Sequence, residues 1–522
     1  MANSQLPLGP EIPRFYAGRS VFITGATGFM GKVLIERLLS TCPEIGRLYL
    51  LMRAKRDVMP EKRLLHLKQS QIFENIRRTN PAQLDKIHMI AGDVSVPQLG
   101  ISLESLALLN EVSIVFHSAA TLKFDEELRK AVDQNVRSVM RLMDICDRLP
   151  NVEAFIHVST AYSNAERDAI EERIYPAPAP LDQLLALVDA APPQLLTEIT
   201  NKYISPKPNT YTFTKAIAEN VVQQHGNQGY SVAIFRPTIV VSSLRTPYPG
   251  WIENLNGPSG VIVGAGKGIL HVFACKSSAR ADMLPVDIAI DTLIAVAWET
   301  AVDKSQEVRV YNCSTYDNPT TWGEFERNLR ENVRAHPLDK ALWYPTGYTT
   351  ENRFMEKVLE LLFQTLPLYT AEYGARLLGI KTRLSLITAD QRIRAMNKVL
   401  KFFSMKEFRF ETGNVRRLRA RLSPADAKIY NLDVQTINWD DHYRNFVKGT
   451  RRYLLGEKDQ DLQEAKRHIT RMRFLHNAVV LFTVVGFIRL LLRHPVIKEI
   501  VYGFFALLMS LLHSAYMRVT AQ

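Results

Sequence analysis

Short apolar, β-branched runs alternate with amphipathic stretches over the first third of this chain, and those two periods predict its fold. SVFITG, RLYLLMR, IHMIAGDV, VSIVFHSAA and AFIHVST fall between residue 19 and about 160. Each is mostly apolar along its length, as a strand covered on both faces must be. Between them, KVLIERLLSTC and RKAVDQNVRSVMRLMDICDRL repeat their apolar residues at helical spacing. The alternation predicts an α/β fold, a parallel doubly wound sheet with its ligand at the strand C-termini. YSVAIFRPTIVV and VRVYNCS add two further strands, and DIAIDTLIAVAWETAV between them reads as a buried helix.

The pattern then changes. A Pro-rich stretch at Ala177 to Pro180 begins a long insertion that ends near Pro208, with leucines at helical spacing in LDQLLALVDA and PQLLTEIT. A boundary is expected near Trp343-Tyr-Pro, so 1–18 is an N-terminal extension, 19–345 the sheet domain, and 350–455 a separate helical domain. Two apolar segments close the chain, 474–492 and 500–517. Each has about the ~20 residues a helix needs to cross a bilayer, and neither has the polar stripe of a core hairpin. Both crossing, or a hairpin turning at Arg493-His-Pro495, are open. Lys466, Arg467, Arg471 and Arg473 precede the first segment, which keeps the body of the protein cytosolic under the positive-inside rule.

Composition narrows the chemistry. The four cysteines lie far apart, and the twelve histidines show no metal-binding spacing. No disulfide framework and no metal site is expected. The net charge of +12 comes without a nucleic-acid-binding module. The first seventeen residues hold several prolines and no apolar run, so no signal peptide is visible there.

The first candidate chemistry is the turn after the first strand. Gly25, Gly28 and Gly31, with Thr24, Thr27 and Phe29 among them, form GxxGxxG between an apolar strand and an amphipathic helix. That context suits a dinucleotide pyrophosphate on the helix N-terminus. After the second strand stand Met52-Arg53-Ala54-Lys55-Arg56, with no acid before Asp57. An acid there would bind a free ribose, whereas Arg53 pairs with a 2′-phosphate, so NADPH is expected over NADH. Asp93 and Val94 are candidates to touch the adenine, Ala119 and Ala120 to wall the cofactor; ordinary loop packing explains them equally well.

The second is Tyr211-Thr-Phe-Thr-Lys215, which sets a phenol and an ammonium one helical turn apart. A nearby ammonium is expected to acidify the phenol and also to bond the nicotinamide ribose. Ser159-Thr160 ends the fifth strand, and a hydroxyl there can hold a substrate carbonyl oxygen. Thr160 is the first choice and Ser159 the reserve. Asn135 is a candidate to position a water or the lysine, or is simply part of a polar helix face.

These motifs, with HVSTAY, PNTYTFTKAIAE, GPSGVIVGAGKGIL, ARADMLPVD and WDDHYRNFVKGTRRYLL, resemble the fatty acyl-CoA reductases of animals and plants. Those are extended short-chain dehydrogenase/reductases of the Rossmann type with a helical "male sterility" C-terminal domain. The resemblance implies reduction of a long-chain acyl-CoA to a primary alcohol with two NADPH. It also implies attachment to a peroxisomal or endoplasmic reticulum bilayer, although the final Val-Thr-Ala-Gln is neither SKL nor KDEL. The leucine-rich insertion, with the helical domain, is expected to shelter the acyl chain. Sugar-nucleotide epimerases, dehydratases and steroid dehydrogenases share the glycine turn and YxxxK but not the insertion or the helical domain. A membrane scaffold without catalysis is the remaining alternative.

Overall fold

A computed structural model describes residues 9–491 apart from 56–57, 227 and 380–384, with a few positions between 493 and 510. The second apolar segment, 500–517, the turn before it, and Arg56-Asp57 lie largely or wholly outside the described residues.

Seven strands form one sheet: β1 (Ser20–Thr24), β2 (Leu48–Met52), β3 (Ile87–Ala91), β4 (Val112–His117), β5 (Ala154–Val158), β6 (Ser231–Pro237) and β7 (Arg309–Cys313). Every pairing is parallel, in the spatial order β3-β2-β1-β4-β5-β6-β7. Strand order reverses between β1 and β4, and that switch point is where such sheets bind ligands. All seven strands are those expected from the apolar runs.

Alternate residues of each strand point to opposite faces, and each face has its own core. Val21 and Ile23 join one core, and Phe22 the other; Leu48 and Leu50 divide from Tyr49 and Leu51 in the same way. Two helices cover the first face, α1 (Phe29–Thr41) and, far along the chain, α3 (Val286–Asp303), the latter buried almost all round. The second face carries the helical stretch Leu128–Cys146 and α2 (Thr210–His225). Asn209 caps α2 by accepting from the Thr212 N–H at 2.9 Å, and this fixes where Tyr211 emerges.

The stretch 350–455, expected as a separate helical domain, is mostly helical but lays its second half on the sheet body. Leu418, Tyr430, Leu432 and Val434 share the first core with the strands. Arg409–Phe410 pairs in parallel with Ala169–Ile170. The carboxylate of Asp426 accepts the N–H groups of Glu11 and Ile12 at 2.9 and 3.0 Å, so the two ends of the body are tied together. The chain leaves through α4 (Leu462–Leu491), part of a helical span 459–489 that is long and apolar enough to cross a membrane and whose apolar window has no buried residue.

Candidate active site

The glycine turn joins β1 to α1 at the switch point. Gly25 has φ +74°, and a Cβ there would stand 2.7 Å from the Ser118 and Ala119 backbone. A Cβ on Gly31 would stand 2.4 Å from the Gly25 carbonyl oxygen. Backbone approaches this close admit no side chain, so glycine is required at both positions for the turn to pack as it does. Gly28 begins α1 with no side-chain cap, which leaves the helix N-terminus free for an anion. Thr24 faces inward instead. Its Oγ1 lies 2.7 Å from His117 Nδ1 and accepts the Ala119 N–H at 3.2 Å. His117 also meets Ser138, and burial and Lys215 push its pKa down to about 3, so it stays neutral. Thr24 and Ala119 thus brace the turn against β4.

The Thr160 hydroxyl lies near enough to the Tyr211 phenol, at the end of β5, to act on its pKa. Thr160 Oγ1 also accepts the Tyr162 N–H at 3.2 Å, capping a short helical turn. Ser159 is committed elsewhere: its hydroxyl donates at 2.5 Å to Glu219, which pairs with the fully buried Arg236 at 2.7 Å. Of the two adjacent hydroxyls, Thr160 is the one that meets the tyrosine.

Lys215 is buried, and its Nζ donates to the Val158 carbonyl at 2.8 Å. Burial pulls its pKa down to about 8, with Glu219 opposing. The expected acidification of Tyr211 by this ammonium does not occur in this geometry. Burial raises the phenol above its ordinary value, Thr160 partly offsets that rise, and Glu219 adds to it. Tyr211 is a neutral acid at neutral pH.

Asn135 lies in a π-helical turn of the Leu128–Cys146 stretch. It accepts the Thr121 N–H and donates to Thr214, both at 2.9 Å. It therefore holds α2 against the loop after β4, one residue from Lys215 but without touching it. At the other end of the crevice, Arg53 pairs with Asp93 at 3.0 Å. Burial pushes Asp93 up, but Ser95 and Arg53 outweigh it and hold the carboxyl below its usual range. Val94 packs on the second core and takes Arg141 on its carbonyl. Arg63 was not legible in the motif. Its guanidinium donates to Thr27 Oγ1 at 2.8 Å and to the Arg53 carbonyl, so two guanidinium groups meet at the glycine turn.

On the far side of Tyr211 the wall is aromatic. Phe124 meets the Tyr211 ring edge-on at 5.5 Å and Phe403 at 5.7 Å. Tyr162 packs against Phe403, Phe408 and Phe410 at 5.0 to 5.5 Å. These last three, with Trp322, line a cavity behind the site. Ala165, Ile170 and Tyr175 join this aromatic cluster, but the leucines of the insertion are not there. Leu184, Val188 and Leu196 pack into the second core over Val132 and Val136, and Arg129 ties its backbone at Val188 and Ala191.

With that geometry in hand, the relatives decide the family. The chain matches the male sterility protein family over residues 23–293 and again over 363–457. It is 38% identical to fatty acyl-CoA reductase 1 of Xenopus laevis over 465 residues, 89% of this chain and 90% of that one. It belongs to the fatty acyl-CoA reductase family. Fatty acyl-CoA reductase 2 of Bos taurus is 36% identical over 467 residues, with the same coverage. Two solved structures share the reductase fold. The terminal R domain of the myxalamid pathway has a TM-score of 0.56 at 16% identity, over 85% of this chain and 93% of that one. The R domain of a Mycobacterium tuberculosis nonribosomal peptide synthetase has 0.55 at 20%, over 87% and 94%.

Other family-like segments of this reductase serve its architecture. Asp287, in ARADMLPVD, accepts the backbone N–H groups of Leu244, Arg245 and Thr246. Gly449, in the stretch from Trp439, sits so close to Gly250 that a Cβ would stand 1.7 Å from its carbonyl oxygen. Together these contacts hold the loop 244–250 between the start of α3 and the C-terminal stretch.

Proposed function

We propose that Thr160, Tyr211 and Lys215 carry the reduction of a long-chain acyl-CoA to a primary alcohol and CoA, through an aldehyde, with NADPH as cofactor. The observation behind this is the meeting of two hydroxyls at the end of β5, beside a turn only glycine can build. The residues present suit the cofactor. The side-chain-free turn of Gly25 and Gly28 and the uncapped start of α1 suit the pyrophosphate, and Arg53 with Arg63 suits a 2′-phosphate. When bound, NADPH supplies hydride, two equivalents for each acyl group taken to alcohol.

The chain's own residues do the rest. Thr160 Oγ1 accepts the Tyr162 N–H and keeps its own proton to donate, and substrate binding would turn that proton from Tyr211 to the acyl oxygen. Thr160 and Tyr211 together meet the charge that gathers on that oxygen, in a site already largely closed to water. The oxyanion reforms the carbonyl as the C–S bond breaks, CoA leaves as its thiolate and takes a proton from water, and the aldehyde stays under the same two hydroxyls. In the second reduction Tyr211 gives its proton to the alcohol oxygen. Its raised pKa suits that role, because the phenol arrives protonated. Lys215, with its Nζ held at the Val158 carbonyl, is assigned to the nicotinamide ribose.

Long acyl chains partition into bilayers, and α4 would hold the enzyme there, with its body on the cytosolic side of a peroxisomal or endoplasmic reticulum membrane. The test is product analysis with palmitoyl-CoA and NADPH, wild type beside Tyr211→Phe. Alcohol is expected from the wild type and a loss of roughly 10²- to 10⁴-fold from the variant. Undiminished output would remove the tyrosine from the mechanism, and cofactor binding without turnover in the wild type would favour the scaffold.

A further inference from the structure

We propose that the outward face of the helical segment 353–377 lies in the bilayer surface, a second membrane contact beside α4. The proposal rests on reading α4 as a membrane anchor.

The segment runs unbroken from Arg353 through a π turn to Leu377, and its polarity is inside out. Inward it buries polar groups. Gln364, fully buried, donates to Asp390 at 2.9 Å and accepts the His271 N–H at 3.2 Å. Glu372, 2% exposed, accepts from Ser385 and from the Ile387 N–H at 2.8 Å. Outward, Leu362, Leu366, Tyr373 and Leu377 recur at helical spacing and are 50–89% exposed. A helix facing water does the reverse. Polar groups satisfied inside and apolar ones outside is the arrangement that lipid demands. Arg353, Lys357 and Arg376 are exposed on the same segment, as on helices that lie on anionic bilayers.

Continuity with α4 identifies lipid as the occupant. His468 of α4 bonds the Ala341 carbonyl at 2.7 Å, and Trp343 donates to His476 at 3.0 Å. Five residues beyond Trp343, the Tyr348 ring packs on Phe363 at 4.8 Å. The first apolar turns of the anchor therefore touch the strand of chain that leads into this segment. Behind the face lies a cleft lined by Phe273, Leu329, Val333 and Tyr348. Phe273 stacks towards Trp322 at 5.8 Å, and Trp322 lines the aromatic cavity beside Phe403. A bilayer seated on this face would stand at the apolar side of the active site.

All four native cysteines are buried, so a new surface cysteine can be labelled selectively. The full chain would carry an environment-sensitive NBD label at Leu362→Cys, at Phe482→Cys in α4, or at Leu103→Cys, an exposed position after β3. Each is reconstituted into phosphatidylcholine–phosphatidylserine vesicles with and without doxyl-labelled lipid. Blue-shifted emission at 362, quenched by doxyl lipid to an extent comparable with 482 and unlike 103, is expected. Water-like emission at 362, or a blue shift that doxyl lipid does not quench, overturns the proposal; the second result would mean that protein covers the face. If 482 is quenched in that case, the anchor reading survives; if 482 also stays unquenched, the anchor reading falls with it.

Discussion

The two walls of the active site are built by opposite means. The cofactor wall is backbone and polar groups, packed so closely at Gly25 and Gly31 that no side chain fits. It comes from neighbouring pieces of sheet: the ends of β1, β4 and β5 and the start of α2. The wall proposed here for the acyl chain is rings, with Phe403, Phe408 and Phe410 brought from a distant stretch to face Phe124 and Tyr162. One wall therefore derives its precision from hydrogen bonds and close approach, the other its affinity from apolar area. Damage to the first should appear in kcat and cofactor use, and damage to the second in chain-length preference.

Adjacent hydroxyls give the largest test of that division. Thr160→Ala removes a donor aimed at the reacting oxygen, and kcat is expected to fall about 10²- to 10³-fold. Ser159→Ala takes a donor from the buried Glu219–Arg236 pair. It should lower stability by about 1–3 kcal/mol and leave kcat within a few-fold. Steady-state kinetics beside thermal unfolding would separate the two. If Ser159→Ala loses as much kcat as Thr160→Ala, the assignment of roles is wrong.

Arg63 sharpens the polar wall at its outer end. A hydrogen bond to a charged group contributes about 1.5–3 kcal/mol, so Arg63→Ala should raise KM for NADPH roughly tenfold or more. KM for NADH should hardly move. An equal rise for both cofactors would make Arg63 a brace for Thr27 and not a reader of the phosphate.

What the sequence reveals divides along the same line as the walls. GxxGxxG and Tyr-x-x-x-Lys are legible because strand-turn-helix geometry fixes where their residues point. The seven strands are legible because a strand covered on both faces must be apolar throughout. The choice between Ser159 and Thr160 is not, since it depends on Glu219, 60 residues away. Arg63 lies one helix beyond the fingerprint loop and reaches back. The insertion's leucines announce a buried face but not its partner, which turns out to be the helix layer. Phe403 and Phe408 carry no local signature at all. Long-range contacts bring them to the site, the pairing of Arg409–Phe410 with Ala169–Ile170 and the Lys406 ammonium on the Ala165 and Glu166 carbonyls among them.

Lys215 gives a test on pH. With its pKa near 8, it is charged below that value and neutral above it. If its charge holds the nicotinamide ribose, kcat/KM for NADPH should fall as pH rises past about 8, approaching tenfold per unit. Stability should move the other way. The folded pKa lies below the ordinary lysine value, so the unfolded chain holds more protons between about 8 and 10.5, and the cost of burying the charge fades across that window. Lys215→Arg should carry the kinetic inflection out of range. An unchanged profile in that variant would mean that another group sets it.

The aromatic wall should give the smallest and most selective effect. Phe403 touches Phe124, Tyr162 and Phe408 and is almost fully buried. Truncating it to alanine costs about 3–5 kcal/mol of fold stability, which would confuse activity with unfolding. Phe403→Leu keeps most of the volume and is the cleaner change. Losing part of one apolar contact is worth about 1–3 kcal/mol, and packing can recover some of it. A fall of a few-fold in kcat/KM is therefore expected for palmitoyl-CoA, with less for octanoyl-CoA, whose shorter chain reaches fewer rings. Leu184→Ala in the insertion is the matched control. It sits in the second core, far from these rings in packing, so it should lower the melting temperature and treat both chain lengths alike. If Leu184→Ala shifts chain-length preference and Phe403→Leu does not, the acyl wall lies in the insertion after all, and the aromatic cluster is only core.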